Sequence, residues 1–172
     1  MAVGGRLLDL RTPQGSYGEV LVPLHGAHQG DNAATALAAV EAFFGTALHE
    51  DVVDQALSSV SVPGRLEVIG RHPLVVVDGA HNVAGMTMLA RTLIEEFTVE
   101  GDAVAVVGML RGRDPVAMLE ALQTAGVRSL VACAPDSPRA LPVEIVAEAA
   151  LGLGMDVRTA PTVADAVADA VN

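Results

Sequence analysis

The sequence predicts an α/β fold from about residue 63 onward: a Rossmann-like, mostly parallel sheet with helices on both faces. Short apolar runs there alternate with segments of helical periodicity. The runs at 74–77, 103–109 and 129–134 read as continuous apolar stretches rather than alternations, the pattern that burial on both faces demands. Strands joined by helices of this length imply crossover connections, which build parallel sheets.

The elements follow in order. Ahead of Pro63-Gly64, Arg6-Leu7-Leu8-Asp9-Leu10 and Tyr17-Gly18-Glu19-Val20-Leu21-Val22 predict a hairpin around the turn formers Pro13, Gln14 and Gly15. A helix fits 32–44, with Ala33, Leu37, Val40 and Phe44 on one stripe and Gly45 as its stop. A shorter helix fits 50–60 and uses Val52, Val53, Ala56 and Leu57. After the strand at 74–77, Leu89, Ala90, Leu93, Ile94 and Phe97 form a helical stripe. The strand at 103–109 leads to Asp114-Pro115, an N-cap followed by proline at the first helical position, with Val116, Leu119 and Leu122 buried. The strand at 129–134 precedes a helix after Pro142 that carries Val146, Ala149, Ala150 and Leu153. A last strand at 156–159 precedes a helix capped by Thr162, with Val163, Ala166, Val167 and Val171 inward.

Composition narrows the function classes. A chain of 172 residues can bury one sizeable core, or one domain plus part of a neighbour. Although 51% of the residues are apolar, no run approaches the roughly 18 needed to span a membrane. The segment Met1-Ala2-Val3-Gly4-Gly5-Arg6 lacks a secretory apolar region, so a soluble cytoplasmic protein without membrane partners is expected. The single cysteine, Cys133, excludes an internal disulfide and suits a small buried hydrophobe. Net charge is −11 and all ten basic residues are arginines, scattered along the chain, which argues against nucleic acid as a partner. No lysine means no G-x-x-x-x-G-K-[ST] phosphate loop, and Gly152-Leu153-Gly154 ends a helix instead of opening one.

The densest chemistry is Asp78-Gly79-Ala80-His81-Asn82, placed where the apolar strand at 74–77 stops. Ligands of open α/β sheets bind outside the carboxyl ends of the strands. An acid at the end of a valine strand must find donors, and Asn82 is better placed than Asp78 to cap the following helix. His81 suits either a ligand contact or simple packing. His25 and His28 are read as shaping a linker and His49 and His72 as exposed, with no spacing and acidic partners that would make a metal site.

Three segments carry a resemblance: Pro23-Leu24-His25-Gly26-Ala27-His28-Gln29-Gly30-Asp31-Asn32-Ala33-Ala34, then Pro63-Gly64-Arg65-Leu66-Glu67, then Asp78-Gly79-Ala80-His81-Asn82. In order and spacing they resemble successive motifs of the folylpolyglutamate synthase and dihydrofolate synthase family, a branch of the Mur ligase superfamily. The resemblance covers nearly the whole chain. It implies that residues 1–62 are the end of a central ATPase domain, and that 63–172 are the C-terminal domain without its last strand.

The activity so implied is ATP-dependent addition of L-glutamate to folate or dihydropteroate through an acyl phosphate. Asn32 would hydrogen-bond adenine, Arg65 would meet the ATP phosphates, Asp78 would contact the nucleotide sugar, and His81 would sit near nucleotide or amino acid. Arg113 and Asp114, which replace a Lys-Asp pair of the family, and Ser137 and Arg139 would meet acidic substrate. The chemistry suits these roles: an amide matches the adenine edge, and a guanidinium offers a planar fork to phosphate or carboxylate. Magnesium ligands, the phosphate loop and a central-domain lysine are expected in a missing N-terminal part, so the chain is expected to lack ligase activity alone. The alternatives are a fragment of another Mur-type amide ligase, acting on muramyl peptides or cyanophycin, and a noncatalytic binding module.

Overall fold

The computed structural model describes residues 4–98 and 101–172, so Met1-Ala2-Val3, part of the segment inspected for a leader, lies outside the described residues. The chain divides into two compact units, Met1–Gly79 and Ala80–Asn172.

In the first unit, β1 (Arg6–Arg11) pairs antiparallel with β2 (Ser16–Val22), as the hairpin pattern predicts. Helix α1 (His28–Phe44) packs on this hairpin, and α2 (Glu50–Ser58) packs on β2. Leu10, Tyr17, Val20, Val22, Ala33, Leu37 and Val53 form their shared core. Helix α1 stops at Gly45, whose φ of 72° is a left-handed value that glycine adopts without steric cost.

Two details of α1 differ from the expectation. The helix starts at His28, not Asn32, with its first turn closed by Gln29 and Gly30 N–H bonds to the Gly26 and Ala27 carbonyls. Its buried row is Gln29, Ala33, Leu37 and Glu41, whereas Val40 and Phe44 are exposed. Both rows follow helical spacing and share Ala33 and Leu37; the row that faces the hairpin carries Gln29 and Glu41 in place of Val40 and Phe44.

That choice buries Glu41 completely. Tyr17 Oη donates to Glu41 Oε1 at 2.5 Å and accepts from the Leu48 N–H at 2.9 Å. Glu41 Oε2 is buried without a hydrogen-bond partner among the described residues. Gly15 lies against this pair, since a Cβ there would be 2.8 Å from Tyr17 Oη.

Strand β3 (Glu67–Arg71) and β4 (Leu74–Val77) complete the first unit as a second antiparallel pair. Residues 74–77 are thus a strand as predicted, but β4 belongs to a hairpin and not to the parallel sheet. Two intervening residues, His72 and Pro73, permit only an antiparallel return, because a parallel neighbour needs a long crossover. Neither is β4 buried on both faces, as Leu74 and Val77 are exposed. Strand β3 was absent from the expectation, its alternating sequence being broken by Gly70.

The second unit opens with α3 (Val83–Glu96) and then alternates β5 (Val104–Val107), α4 (Pro115–Gln123), β6 (Ser129–Cys133), α5 (Val143–Gly152), β7 (Asp156–Ala160) and α6 (Val163–Ala170). The three strands form a parallel sheet in the order β5-β6-β7. Leu130 and Ala132 of β6 face a core built with Leu119 and Leu122 of α4 and Val146 and Ala150 of α5. Val131 and Cys133 face the opposite side, against Ala166 of α6. Helices therefore cover both faces, and the predicted α/β class holds. Each fully buried leucine, Leu119 and Leu130, contributes about 1.5–3 kcal/mol by leaving water. Burial also pushes the Cys133 thiol above its ordinary pKa, in keeping with a packed side chain.

The caps follow the residue chemistry. Asn82 Oδ1 accepts from the Gly85 N–H at 2.8 Å, Asp114 Oδ1 from Ala117 at 3.1 Å and Thr162 Oγ1 from Asp165 at 3.1 Å. The faces follow it less closely: Val52 and Ala56 of α2, Ile94 of α3, Val116 of α4, and Val163, Val167 and Val171 on or beside α6 are exposed. Of the α6 stripe only Ala166 is buried, and Ala170 packs beside it on the sheet.

The buried pair in the first unit generates a prediction. Tyr17→Phe deprives Glu41 of its donor and the Leu48 N–H of its acceptor, and is expected to cost about 2–3 kcal/mol in urea denaturation. Glu41→Met removes the group that needs the donor and is expected to cost less.

The same pair sets a pH dependence. The hydrogen bond to Glu41, and then burial, raise the Tyr17 phenol above its ordinary pKa of 10.0. The folded state then holds its proton more tightly than the unfolded state. This stabilisation is complete below pH 10.0 and is lost as pH rises through the folded value. Tyr17 is the only tyrosine, so phenolate absorbance reports it directly, and a midpoint above 10.0 is expected.

Candidate functional site

In the first unit the β3–β4 hairpin brings Arg65 and Asp78 together at its open end. Asp78 Oδ2 accepts from the Leu66 N–H at 2.9 Å, and the Gly79 N–H donates to the Gly64 carbonyl at 2.7 Å. A further bond runs from the Gly64 N–H to Glu67 Oε2 at 2.8 Å. These bonds close the Pro63-Gly64-Arg65-Leu66 turn onto the end of β4.

The turn is strained in one place. Leu66 has φ of 47°, a left-handed conformation uncommon for a bulky side chain, yet its side chain is buried. Asp78 offsets that cost by fixing the Leu66 amide. Arg65, one residue earlier, is exposed and stands over Gly79: a Cβ built on Gly79 would lie 3.7 Å from Arg65 Nη1 and 3.4 Å from the Gly64 carbonyl. The result is an exposed cation over a backbone without a side chain, one residue along from a half-buried acid.

Asn32 lies inside α1, where its Nδ2 donates to Gln29 Oε1 at 3.0 Å, so it is not an N-cap. Its exposed amide is held by a buried glutamine. His28 likewise belongs to α1 and not to a linker, and its Nδ1 is buried without a hydrogen-bond partner among the described residues. Among the described residues Asn32 makes no hydrogen bond to Arg65 or Asp78. His81 is exposed in the second unit, just before the Asn82 cap. His49 and His72 are exposed as expected, and His49 Nδ1 also accepts from the Asp51 N–H at 3.4 Å.

The remaining residues lie at the carboxyl ends of β5 and β6. Gly108 touches the second loop, as a Cβ there would be 3.0 Å from Pro135 Cδ. Arg113 is half-buried and Arg139 exposed, and neither has an ion-pair partner among the described residues. Ser137 Oγ accepts from the Arg139 N–H at 3.2 Å. Asp114 spends its carboxylate on the cap of α4. Among the described residues no group of three or more His, Cys, Asp or Glu side chains converges to hold a metal ion. No helix there is long and apolar enough to cross a membrane.

Sequence reasoning missed the Leu66 amide, Gln29 and the backbone link between the two arginine loops. Only Leu66 carried a local signal, the glycine and proline just ahead of it.

Comparison with known proteins is decisive for the family, since the one described as Mur ligase, glutamate ligase domain, matches residues 64–172. The chain belongs to this Mur ligase family. Among curated relatives, this Mur ligase chain is 43% identical to the dihydrofolate synthase/folylpolyglutamate synthase of Mycobacterium tuberculosis, over 97% of its own length and 35% of the relative's. A solved structure of the M. tuberculosis folylpolyglutamate synthase complexed with ADP has a TM-score of 0.93 and 44% identity, over 99% of this chain and 38% of that one. An Escherichia coli structure in complex with DHPP and ADP has a TM-score of 0.76 and 29% identity, over 91% of this chain and 35% of that one. The chain spans about a third of the length of these three relatives.

The Asp78–Leu66 bond yields a prediction. Asp78→Ala leaves a left-handed leucine without its anchor and is expected to cost about 1–2 kcal/mol, with faster hydrogen exchange at the Leu66 amide. An unchanged Leu66 exchange rate would show that the turn is held by other contacts.

Proposed function

We propose that this chain is the C-terminal portion of an ATP-dependent ligase that adds L-glutamate to folate or dihydropteroate through an acyl phosphate. In this reading 1–62 are the end of the central ATPase domain and 63–172 the glutamate ligase domain. The observation that carries it is the Arg65–Asp78 end of the β3–β4 hairpin, with Gly79 bare beneath the guanidinium. That arrangement suits a phosphate group beside a sugar hydroxyl: the guanidinium supplies planar donors, and the acid accepts from hydroxyls. The ADP bound in the M. tuberculosis relative supports a nucleotide as the ligand.

Asn32, held by Gln29, offers its amide to adenine, and His81 lies near the nucleotide or the incoming amino acid. Arg113, Ser137 and Arg139 receive the carboxylates of glutamate, while Asp114 fixes the start of α4. ATP supplies the phosphoryl group that turns a carboxylate oxygen into a leaving group for the glutamate amine. Among the described residues no three His, Cys, Asp or Glu side chains converge as a metal site. Magnesium would be held by ligands outside this chain. The same holds for the phosphate loop, because these 172 residues contain no lysine. The assembled enzyme is a cytoplasmic protein.

A chimaera tests the reading: this chain replaces the aligned third of the M. tuberculosis synthase. The isolated chain is expected to release no ADP in the presence of ATP, folate and glutamate, whereas the chimaera ligates. In the chimaera Arg65→Ala is expected to lower kcat/KM for ATP by about 100-fold, the scale of losing one charge-stabilising donor. Steady glutamate-dependent turnover by the isolated chain, or an Arg65→Ala chimaera at full activity, would contradict it.

A further inference from the structure

The loops that carry Arg113 and Arg139 are joined. Across them, the Arg111 N–H donates to the Arg139 carbonyl at 2.8 Å, and the Leu141 N–H donates to the Met109 carbonyl at 2.8 Å. Leu110 and Ala140 face each other in antiparallel register between these bonds. One side chain adds to this short ladder: Arg111 Nε donates to the Ala140 carbonyl at 3.2 Å.

We infer that Arg111 is a positioning residue, the clasp that holds the loop after β6 on the loop after β5 so that Arg113 and Arg139 meet one dicarboxylate ligand at a fixed separation. The inference rests on the glutamate-site reading above and concerns a residue that reading does not use.

Each of the two arginines is pinned from both directions. The Arg139 N–H is taken by Ser137 Oγ and its carbonyl by the Arg111 N–H, which leaves no main-chain polar group with which to drift. Arg113 sits between Gly112, whose φ of 82° turns the chain sharply, and Asp114, fixed as the α4 cap. Arg111 stands one residue before that turn, so its two bonds set where Arg113 starts and where Arg139 ends. Met109, which anchors the ladder, is buried, so the clasp is tied to the core and not only to another loop.

The chemistry of the clasp favours arginine over lysine. A guanidinium bonded through Nε has its plane fixed by that bond, whereas an ammonium is a rotating point charge on a flexible stem. The Nη groups of Arg111 make no hydrogen bond among the described residues. Its positive charge therefore adds to the field of Arg113 and Arg139 in a chain of net charge −11.

The test uses the 172-residue chain, amide hydrogen exchange, and titration with L-glutamate followed by the amide resonances of Arg113, Ser137 and Arg139. In Arg111→Ala, exchange at the amides of residues 111 and 141 is expected to rise at least about tenfold as the ladder opens. Glutamate affinity is expected to fall about tenfold in Arg139→Ala, nearly as far in Arg111→Ala, and no further in the double variant, because Arg111 acts through Arg139. Arg111→Lys restores the charge but not the affinity.

Each contrary outcome is informative. Full affinity in Arg111→Lys, or additive losses in the double variant, overturns the clasp in favour of direct charge. Unchanged exchange in Arg111→Ala overturns it outright. Loop resonances that ignore glutamate in the parent chain, or that respond to it undiminished in both Arg113→Ala and Arg139→Ala, sink the glutamate-site reading instead.

Discussion

Burial of β6 on both faces is the constraint from which the second unit follows. Leu130 and Ala132 enter one core and Val131 and Cys133 the other, so the strand cannot shift by one residue without exchanging every partner. That register aligns β5 and β7 beside it, in step from Val104 opposite Ser129 to Cys133 opposite Ala160. The carboxyl ends of β5 and β6 then emerge side by side, and only because they do can the Gly108 and Pro135 backbones touch and the arginine loops join.

The first unit solves a different problem, since a two-stranded hairpin alone is marginal in water. Its stability comes from the helices laid on β1 and β2 and from the Tyr17–Glu41 hydrogen bond inside their core. The β3–β4 hairpin depends instead on its own closure. There the Leu66 side chain gains burial that its left-handed backbone would otherwise forbid, and the Asp78 carboxylate joins the two effects by accepting the Leu66 amide. One acid thus serves the fold and the candidate site at once, a coupling that ties local stability to ligand geometry.

Legibility in the sequence followed the range of the physics involved. Caps were readable because a side chain bonds a backbone amide two or three residues away: Asn82, Asp114 and Thr162 all do so. Strands β5 and β6 were readable because cover on two faces leaves an apolar run, whereas β7, with Asp156, Arg158 and Thr159 exposed, carries none. The partner of a strand was not, which is why 74–77 was assigned to the wrong sheet. Helix faces were the least readable, for in a chain that is 51% apolar several rows of one helix satisfy the same periodicity. In α1 the row that wins brings Glu41 to the Tyr17 hydroxyl and leaves Phe44 exposed. Likewise the nearness in the fold of the Arg65 and Asp78 motifs came from motif order, while the bond between Arg111 and Ala140, 29 residues apart, left no local trace.

The polar motifs divide into residues the fold consumes and residues it presents. Asn82, Asp114 and Ser137 give their side-chain oxygens to nearby amides, and Gln29 gives its own to Asn32. Beside each stands a longer or exposed group: His81 before Asn82, Arg113 before Asp114, Arg139 after Ser137. A short oxygen-bearing side chain can satisfy a backbone amide at little entropic cost, whereas an arginine ordered alone loses far more rotamer freedom. Fixing the backbone through the short residue lets the long one reach a ligand from a defined origin. The density of polar residues in these motifs therefore reflects two jobs at adjacent positions, and the aspartate that opens Asp78-Gly79-Ala80-His81-Asn82 performs the positioning job through Leu66 while standing beside Arg65.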